Sequence, residues 1–126
     1  MIRRPKLCGT TTTVEQACAH LLNDHVHALL VTHHHLLIAV VEREDLTGAA
    51  ARDPAWPLGR LSGRVAGVGD DLARVTREMD EWGLRRLAVV DDGGLLVGLL
   101  CRKRSKRGFC SDDGVAARAA GQSKTP

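Results

Sequence analysis

Residues 83–100, GLRRLAVVDDGGLLVGLL, hold the strongest pattern in the sequence. A polar segment, Asp91–Gly94, separates two mostly apolar runs, Leu87–Val90 and Leu95–Leu100. Short runs rich in valine and leucine on either side of a glycine-containing turn are typical of two paired strands. The segment therefore predicts a strand, a tight turn and a second strand.

The same pattern occurs 58 positions earlier, so the chain contains an internal repeat. Residues 13–46, TVEQACAHLLNDHVHALLVTHHHLLIAVVEREDL, align with residues 71–105, and the apolar positions of the two segments coincide. The turn is one residue longer in the second copy, after which the offset becomes 59. Two copies of one structural unit are therefore expected.

Each copy begins with apolar residues three to four positions apart, behind a threonine or aspartate that can cap a helix. This spacing predicts helices over about 14–23 and 72–82. Their apolar faces are candidates for the core between the two units or for a dimer interface, and consist of Val14, Ala17 and Leu21 and of Leu72, Val75 and Met79. A further helix is predicted after each strand pair. These second helices are placed at about 43–51 and either from about Arg102 or, after Gly108, at about 112–120.

The predicted organisation follows from the repeat and from the glycine- and proline-rich segment between its copies. A short strand is predicted at 64–68, and both termini are expected to be frayed. The predicted divisions are an N-terminal segment 1–9, a first repeat 10–52, a linker 53–63, a second repeat with a C-terminal helix 64–120, and a tail 121–126.

The composition is that of one ordinary globular domain: of 126 residues, 44% are hydrophobic, 26% are charged and 2% are aromatic. The alternation of predicted helices and strands makes its class α/β. A chain of this length can bury a core without a metal or disulfides, so no cofactor is required for folding. The longest apolar run is Leu36–Val41, too short for a membrane helix, and the N-terminus lacks a signal-peptide pattern. A cytoplasmic location is therefore expected, with the four cysteines mostly buried.

The repeat, and above all residues 83–100, resembles the CBS domain pair, named after cystathionine β-synthase. The resemblance covers about residues 10–108, and the ending GFCSDDGVAARAA is similar to that of small stand-alone actinobacterial members. It implies two units packed through their sheets about a pseudo-twofold axis. It also implies a non-catalytic, homodimeric regulatory module with an adenosyl ligand, either AMP, ADP, ATP or S-adenosylmethionine, in the cleft between the units.

In many members of this family a segment [S/T]-x-x-D after the last strand contacts the ribose. The matching segments here are Glu42–Asp45 and Cys101–Arg104. Asp45 keeps the acceptor, whereas Arg104 has none. Glu42 replaces a hydroxyl with a charge and should favour a sulfonium over a phosphate, unless a basic side chain such as Arg43 or Arg102 intervenes. The candidate ligand residues are Asp45, Glu42, Arg43, Cys101, Arg102 and Arg104. Asp45 can equally be a helix cap.

Other polar groups have simpler interpretations. His33–His35 occupies the turn between two strands, which favours a solvated turn over a zinc or nickel site. Cys18 and His20 lie two positions apart on a predicted helix and face different directions, which disfavours a metal site or a catalytic thiol–imidazole pair. Cys101 and Cys110 could be redox-active thiols, although inert cysteines are the simpler interpretation.

Five of the 18 basic residues lie within 102–107, and the rest of the chain is slightly acidic. Such a run could bind an acidic partner or nucleic acid, or remain a solvated face. Without aromatic residues between the charges, nucleic acid is disfavoured. Three functions stay open: an adenosyl-sensing module that regulates an unknown protein, a degenerate module that binds a partner through the basic patch, and an enzyme, the least expected.

Overall fold

A computed structural model describes residues 1–3, 5–23, 26–102 and 109 of the chain. The first unit contains one helix and a three-stranded sheet in the order β1-β2-β3. Strand β1 pairs in parallel with β2, and β2 pairs antiparallel with β3. The elements are β1 Leu7–Cys8, α1 Val14–Leu21, β2 Ala28–His33 and β3 Leu36–Glu42.

The second unit repeats this arrangement, with a sheet in the order β4-β5-β6. Here too the first pair of strands is parallel and the second pair is antiparallel. The elements are β4 Val65–Gly67, α2 Leu72–Trp82, β5 Arg86–Val90 and β6 Leu96–Cys101. The predicted strand pairs, the short strand within 64–68 and the α/β class are confirmed, and each described unit runs strand, helix, strand, strand.

The two helices begin and end where the local sequence favours it. Thr13 caps α1 by accepting a 3.2 Å hydrogen bond from the Gln16 amide. Gly83 ends α2 in the left-handed region, with φ +66°. The apolar face of α1, and Val75 and Met79 of α2, are buried in the cores of their own units and not in the cluster between the units, so the placement predicted there is wrong. Only Leu72 of the predicted faces is exposed, at 54%.

Two predictions about the ends of the first unit are wrong. The predicted helix 43–51 is a single 3-10 turn, Arg43–Leu46, because the backbone is extended at Thr47 and left-handed at Gly48. Its counterpart after residue 102 lies almost entirely outside the described residues. The segment before Gly9 is not frayed, since β1 pairs with β2 and Ile2 is buried.

The backbone symmetry extends beyond the sequence repeat. Ile2 exchanges hydrogen bonds of 2.8 and 2.7 Å with Leu99 of β6, and Arg60 exchanges two of 3.1 Å with Val40 of β3. These pairs occupy equivalent positions in the two halves. The segment that precedes the first strand of each unit therefore bridges to the edge strand of the other unit's sheet.

The two sheets pack face to face through a cluster of buried apolar side chains. Leu30 is completely buried in this cluster and lies between the units, whereas its neighbour Leu29 points into the core of the first unit. Backbone hydrogen bonds of 3.0 and 3.1 Å also join the two hairpin turns. The predicted packing of two units through their sheets is confirmed. The cluster consists of Ala28, Leu30, Leu37, Val40 and Ala88.

Gly98 on β6 has no room for a side chain. A Cβ atom there would lie 2.6 Å from the Ile2 carbonyl oxygen and 2.9 Å from the Met1 sulfur. Gly98→Ala is therefore expected to push the N-terminal residues off the sheet and to lower the free energy of unfolding by about 1–3 kcal/mol in urea denaturation. The control is Gly69→Ala, because Gly69 has open space around it. Equal stability of the two variants would contradict this prediction.

Candidate functional site

The side chains of Asp45 and Arg64 form a two-pronged ion pair between the units. Asp45 lies in the 3-10 turn that follows β3, and Arg64 immediately precedes β4. The distances are 2.6 Å from Nη1 to Oδ2 and 3.1 Å from Nη2 to Oδ1. Their side chains are only 8% and 13% exposed for Arg64 and Asp45 respectively. The carboxylate that the sequence singled out is thus held by an arginine of the other unit.

Arg64 has two further contacts with the first unit. Its Nη1 atom donates to the Val40 carbonyl oxygen at 2.7 Å, and its Nη2 atom lies 3.2 Å from Oε1 of Glu42. Both terminal nitrogens of the guanidinium therefore face oxygens of the first unit. A buried guanidinium needs such partners, because leaving it unpaired costs several kcal/mol.

Asp45 also holds the local backbone. The Glu42 amide donates to Oδ2 of Asp45 at 2.8 Å, a contact that fixes the start of the 3-10 turn. The capping role left open by the sequence is therefore present. Ligand contact by Asp45 stays a prediction, and in this structure both of its oxygens already accept from the protein.

The ion pair stabilises the charged form of both partners. Burial acts most strongly on Asp45 and favours its neutral form, but hydrogen bonds from Arg64 and from the Glu42 amide, with the charges of Arg64 and Arg60, outweigh it. The pKa of Asp45 is lowered as a result. The hydrogen bond to Asp45 raises the pKa of Arg64 against the effect of burial. Both groups are therefore charged at neutral pH.

A second arginine, Arg86, lies nearby on β5, opposite Cys101 of β6. Burial lowers its pKa, while Cys101 and the charge of Glu42 oppose the change. Among the described residues, no carboxylate lies within the 4.0 Å of an ion pair with Arg86. Arg86 is thus a partly buried cation whose charge interacts with that of Glu42, and it can accept an anion.

The other predicted ligand residues have different surroundings. Arg43 donates to backbone carbonyls after α1, including that of Val26 at 2.9 Å. Arg102 pairs with Asp80 at 3.3 Å and lies over the Phe109 ring. Cys101 is partly buried beside Arg86. Arg104 lies outside the described residues.

The structure brings together Glu42, Asp45 and Arg64, of which sequence reasoning missed Arg64. The arginine predicted to offset the charge of Glu42 was Arg43 or Arg102, but the cation in contact with it is Arg64. One signal was available, since Arg64 is a charged residue at the start of a predicted strand. Its partners lie 19 or more positions earlier, beyond the reach of any local pattern.

The remaining candidates do not form a site within the described residues. His34 and His35 adopt positive φ angles of 51° and 67° in the turn between β2 and β3. No group of three potential metal ligands occurs in the described part of the chain. Cys8 is buried, which raises its pKa, whereas Cys18 is exposed, against the expectation for it. Cys110 falls outside the described ranges.

Solved structures with the same fold cover most of the chain. CBSX2 in complex with AMP is 26% identical with a TM-score of 0.66, and the match covers 96% of this chain and 90% of that one. The CBS domain protein PAE2072 from Pyrobaculum aerophilum, complexed with AMP, is 24% identical with a TM-score of 0.65, covering 84% and 90%. No family model and no curated protein sequence matches the chain.

A larger protein also contains this fold. The cytosolic domain of the Mg²⁺ channel MgtE in complex with ATP is 22% identical with a TM-score of 0.64. The match covers 77% of this chain, which spans only 42% of the MgtE chain. No helix among the described residues is long and apolar enough to cross a bilayer.

Two repeated α/β units that pack through their sheets, with polar groups from both units at one end, define a paired-repeat module. The chain has the fold of a CBS pair, as the sequence resemblance predicted. CBS-pair domains are generally non-catalytic.

Proposed function

We propose that the chain is a non-catalytic regulatory module that binds an anionic adenosyl ligand, AMP, ADP or ATP, between its two units. The observation that carries this proposal is the contact of Glu42 and Asp45 of the first unit with Arg64 of the second. Arg86 of the second unit is a further cation whose charge interacts with that of Glu42. A ligand held by groups from both units alters how the units pack. It can thereby change the affinity for a regulated protein.

The chemistry of these groups matches the parts of a nucleotide. A carboxylate such as Asp45 can accept hydrogen bonds from ribose hydroxyls, and the guanidinium of Arg86 suits a phosphate. The AMP complexes of CBSX2 and PAE2072 support an adenosyl ligand for this fold.

The charges favour a nucleotide over S-adenosylmethionine. The sequence alone suggests the opposite, because an isolated Glu42 repels a phosphate by about 1–4 kcal/mol. In the structure Glu42 lies 3.2 Å from Arg64, and the charge of Arg86 also acts on it. The repulsion is thereby offset, and the preference for a sulfonium no longer follows.

Calorimetric titration with AMP, ADP, ATP and S-adenosylmethionine tests the proposal. We expect at least one nucleotide to bind about tenfold more tightly than S-adenosylmethionine, and to stabilise the protein by about 2.7 kcal/mol at 100 times its Kd. Arg86→Met should weaken nucleotide binding by about tenfold or more. Arg85→Met is the matched control, since Arg85 is the adjacent arginine. Tighter binding of S-adenosylmethionine, or equal binding by Arg86→Met, would contradict the proposal.

A second candidate function is that of a degenerate pair that acts as a dimeric interaction protein. The observation in its favour is that Arg64 already occupies both oxygens of Asp45. The basic run within 102–107, its proposed contact, lies almost wholly outside the described residues. This function predicts no thermal shift with any adenosyl compound, a dimer in sedimentation velocity, and partner association that weakens steeply with salt.

A further inference from the structure

We infer that Arg64 is an internal competitor of the ligand: it occupies Asp45 in the free protein and must release it before a ribose can bind there. This inference rests on the proposed function, because it concerns the same cleft. It assigns to Arg64 the control of ligand affinity, a role that differs from that of a residue in contact with the ligand.

Asp45 has too few free acceptor positions to bind a ribose while Arg64 holds it. A carboxylate offers about four lone-pair positions. Three hydrogen bonds already use them, two from Arg64 and one from the Glu42 amide. A ribose with two adjacent hydroxyls needs two acceptor positions if both donate to the carboxylate. At least one of these three contacts must therefore break when the ribose binds. The Glu42 amide contact belongs to the 3-10 turn itself, so a contact of Arg64 is the one expected to break.

The terminal nitrogens of Arg64 are already directed at oxygens of the protein. Its Nη1 atom serves Asp45 and Val40, and its Nη2 atom faces Asp45 and Glu42. Each terminal nitrogen carries two N–H groups, and each of these nitrogens has two oxygen neighbours. In this position Arg64 has no terminal donor left for a phosphate. It thus competes with a nucleotide at Asp45 without offering a contact in return.

The location of Arg64 links this competition to the packing of the units. Its carbonyl oxygen accepts a 2.8 Å hydrogen bond from Ala88, which holds the backbone of Arg64 to the second sheet. The side chain crosses to Val40, Glu42 and Asp45 of the first unit. Release of Asp45 removes an inter-unit tie, and only the fraction of molecules in the released state binds the ligand. Apparent affinity falls by that fraction.

Calorimetric titration of AMP into wild type, Arg64→Met and Arg60→Met tests the inference. Arg60 is the matched control, because it is exposed and acts on Asp45 through its charge alone. We expect Arg64→Met to bind AMP at least about tenfold more tightly than wild type when both proteins also carry Glu42→Gln, which removes the carboxylate whose repulsion of a phosphate Arg64 otherwise offsets. Arg60→Met should stay within about twofold of wild type. Equal or weaker binding by Arg64→Met in the Glu42→Gln background overturns the inference.

The possible outcomes separate this inference from the proposed function. If wild type binds AMP and Arg64→Met binds no tighter in the Glu42→Gln background, the inference fails and the function stands. If only Arg64→Met binds, the inference stands and wild type is not a nucleotide sensor. If neither protein binds, both proposals fail.

A second variant covers the case in which Arg64→Met does not fold. Arg64→Lys keeps the charge but cannot hold both carboxylate oxygens of Asp45, so a several-fold gain in AMP affinity is expected. Unchanged affinity in the folded lysine variant would overturn the inference. In wild type, the Arg64 side-chain NMR signals should lose their protection from exchange when AMP saturates the protein, and retained protection would count equally against it.

Discussion

Replacing Asp45 with alanine is expected to lower the free energy of unfolding by about 3 kcal/mol and the Tm by about 10 °C. The substitution leaves the guanidinium of Arg64, which is 8% exposed, without its two-pronged partner. Only Val40 and Glu42 then remain to pair it. Urea denaturation measures the loss. The control is Glu78→Ala, which removes an exposed helix pair with Arg74 and should cost about 0.5 kcal/mol.

The pH dependence of the same effect provides an independent check. Because the pKa of Asp45 is lower in the folded state, its contribution is complete above the unfolded value of about 3.9. The contribution is lost as the pH falls through the folded pKa. The stability gap between wild type and Asp45→Asn should therefore narrow in acid. A gap that stays constant from pH 7 to pH 2 would show that the charge of Asp45 does not supply it.

The second large effect is expected for Leu30→Ala, at about 3 kcal/mol of unfolding free energy. Leu30 is fully buried between the two sheets, so truncation leaves a cavity there. Leu29→Ala is a matched comparison, because Leu29 is equally buried but lies within the first unit. Both variants should lose similar stability in urea denaturation. Under the proposed function, only Leu30→Ala should also weaken AMP binding, because it loosens the contact between the units.

The outcome for Leu30 can contradict the structure in two ways. A loss below about 1 kcal/mol would mean that the sheets do not pack through this residue. Equal AMP affinities of the two variants would mean that packing between the units does not govern the ligand cleft.

The sequence was sufficient for the elements with a strong local pattern. Helix α2 has the predicted bounds, 72–82, because its apolar residues repeat with helical spacing and Gly83 ends it. The two hairpins were also predictable, since each consists of apolar runs around a polar turn. The repeat then made the second unit a template for the first.

Elements that depend on distant pairing were not predictable. Strand β1 has only two residues, and its place is set by hydrogen bonds to β2 rather than by any pattern of its own. Ile2 is ordered by Leu99, which lies at the opposite end of the chain. The helix predicted at 43–51 ends after Leu46, because the backbone is extended at Thr47 and left-handed at Gly48.

Only the first-unit residues of the candidate site could be predicted from the sequence. Glu42 and Asp45 follow from the resemblance to the CBS pair, whose ribose-contacting motif comes after the last strand of a repeat. Arg64 does not, because its role depends on the packing of one sheet against the other. Sequence patterns report on neighbours along the chain, whereas this ion pair joins residues of different units.

The symmetry of the backbone is not shared by its side chains. The Lys6 and Arg64 carbonyls accept equivalent hydrogen bonds, from Leu30 and Ala88, so Lys6 is the counterpart of Arg64. Cys101 holds the position that Glu42 holds in the first repeat. Main-chain hydrogen bonds do not depend on the identity of the side chain, so the same backbone pairing can form with different residues. The two units therefore share one scaffold but offer a ligand or partner two chemically different surfaces.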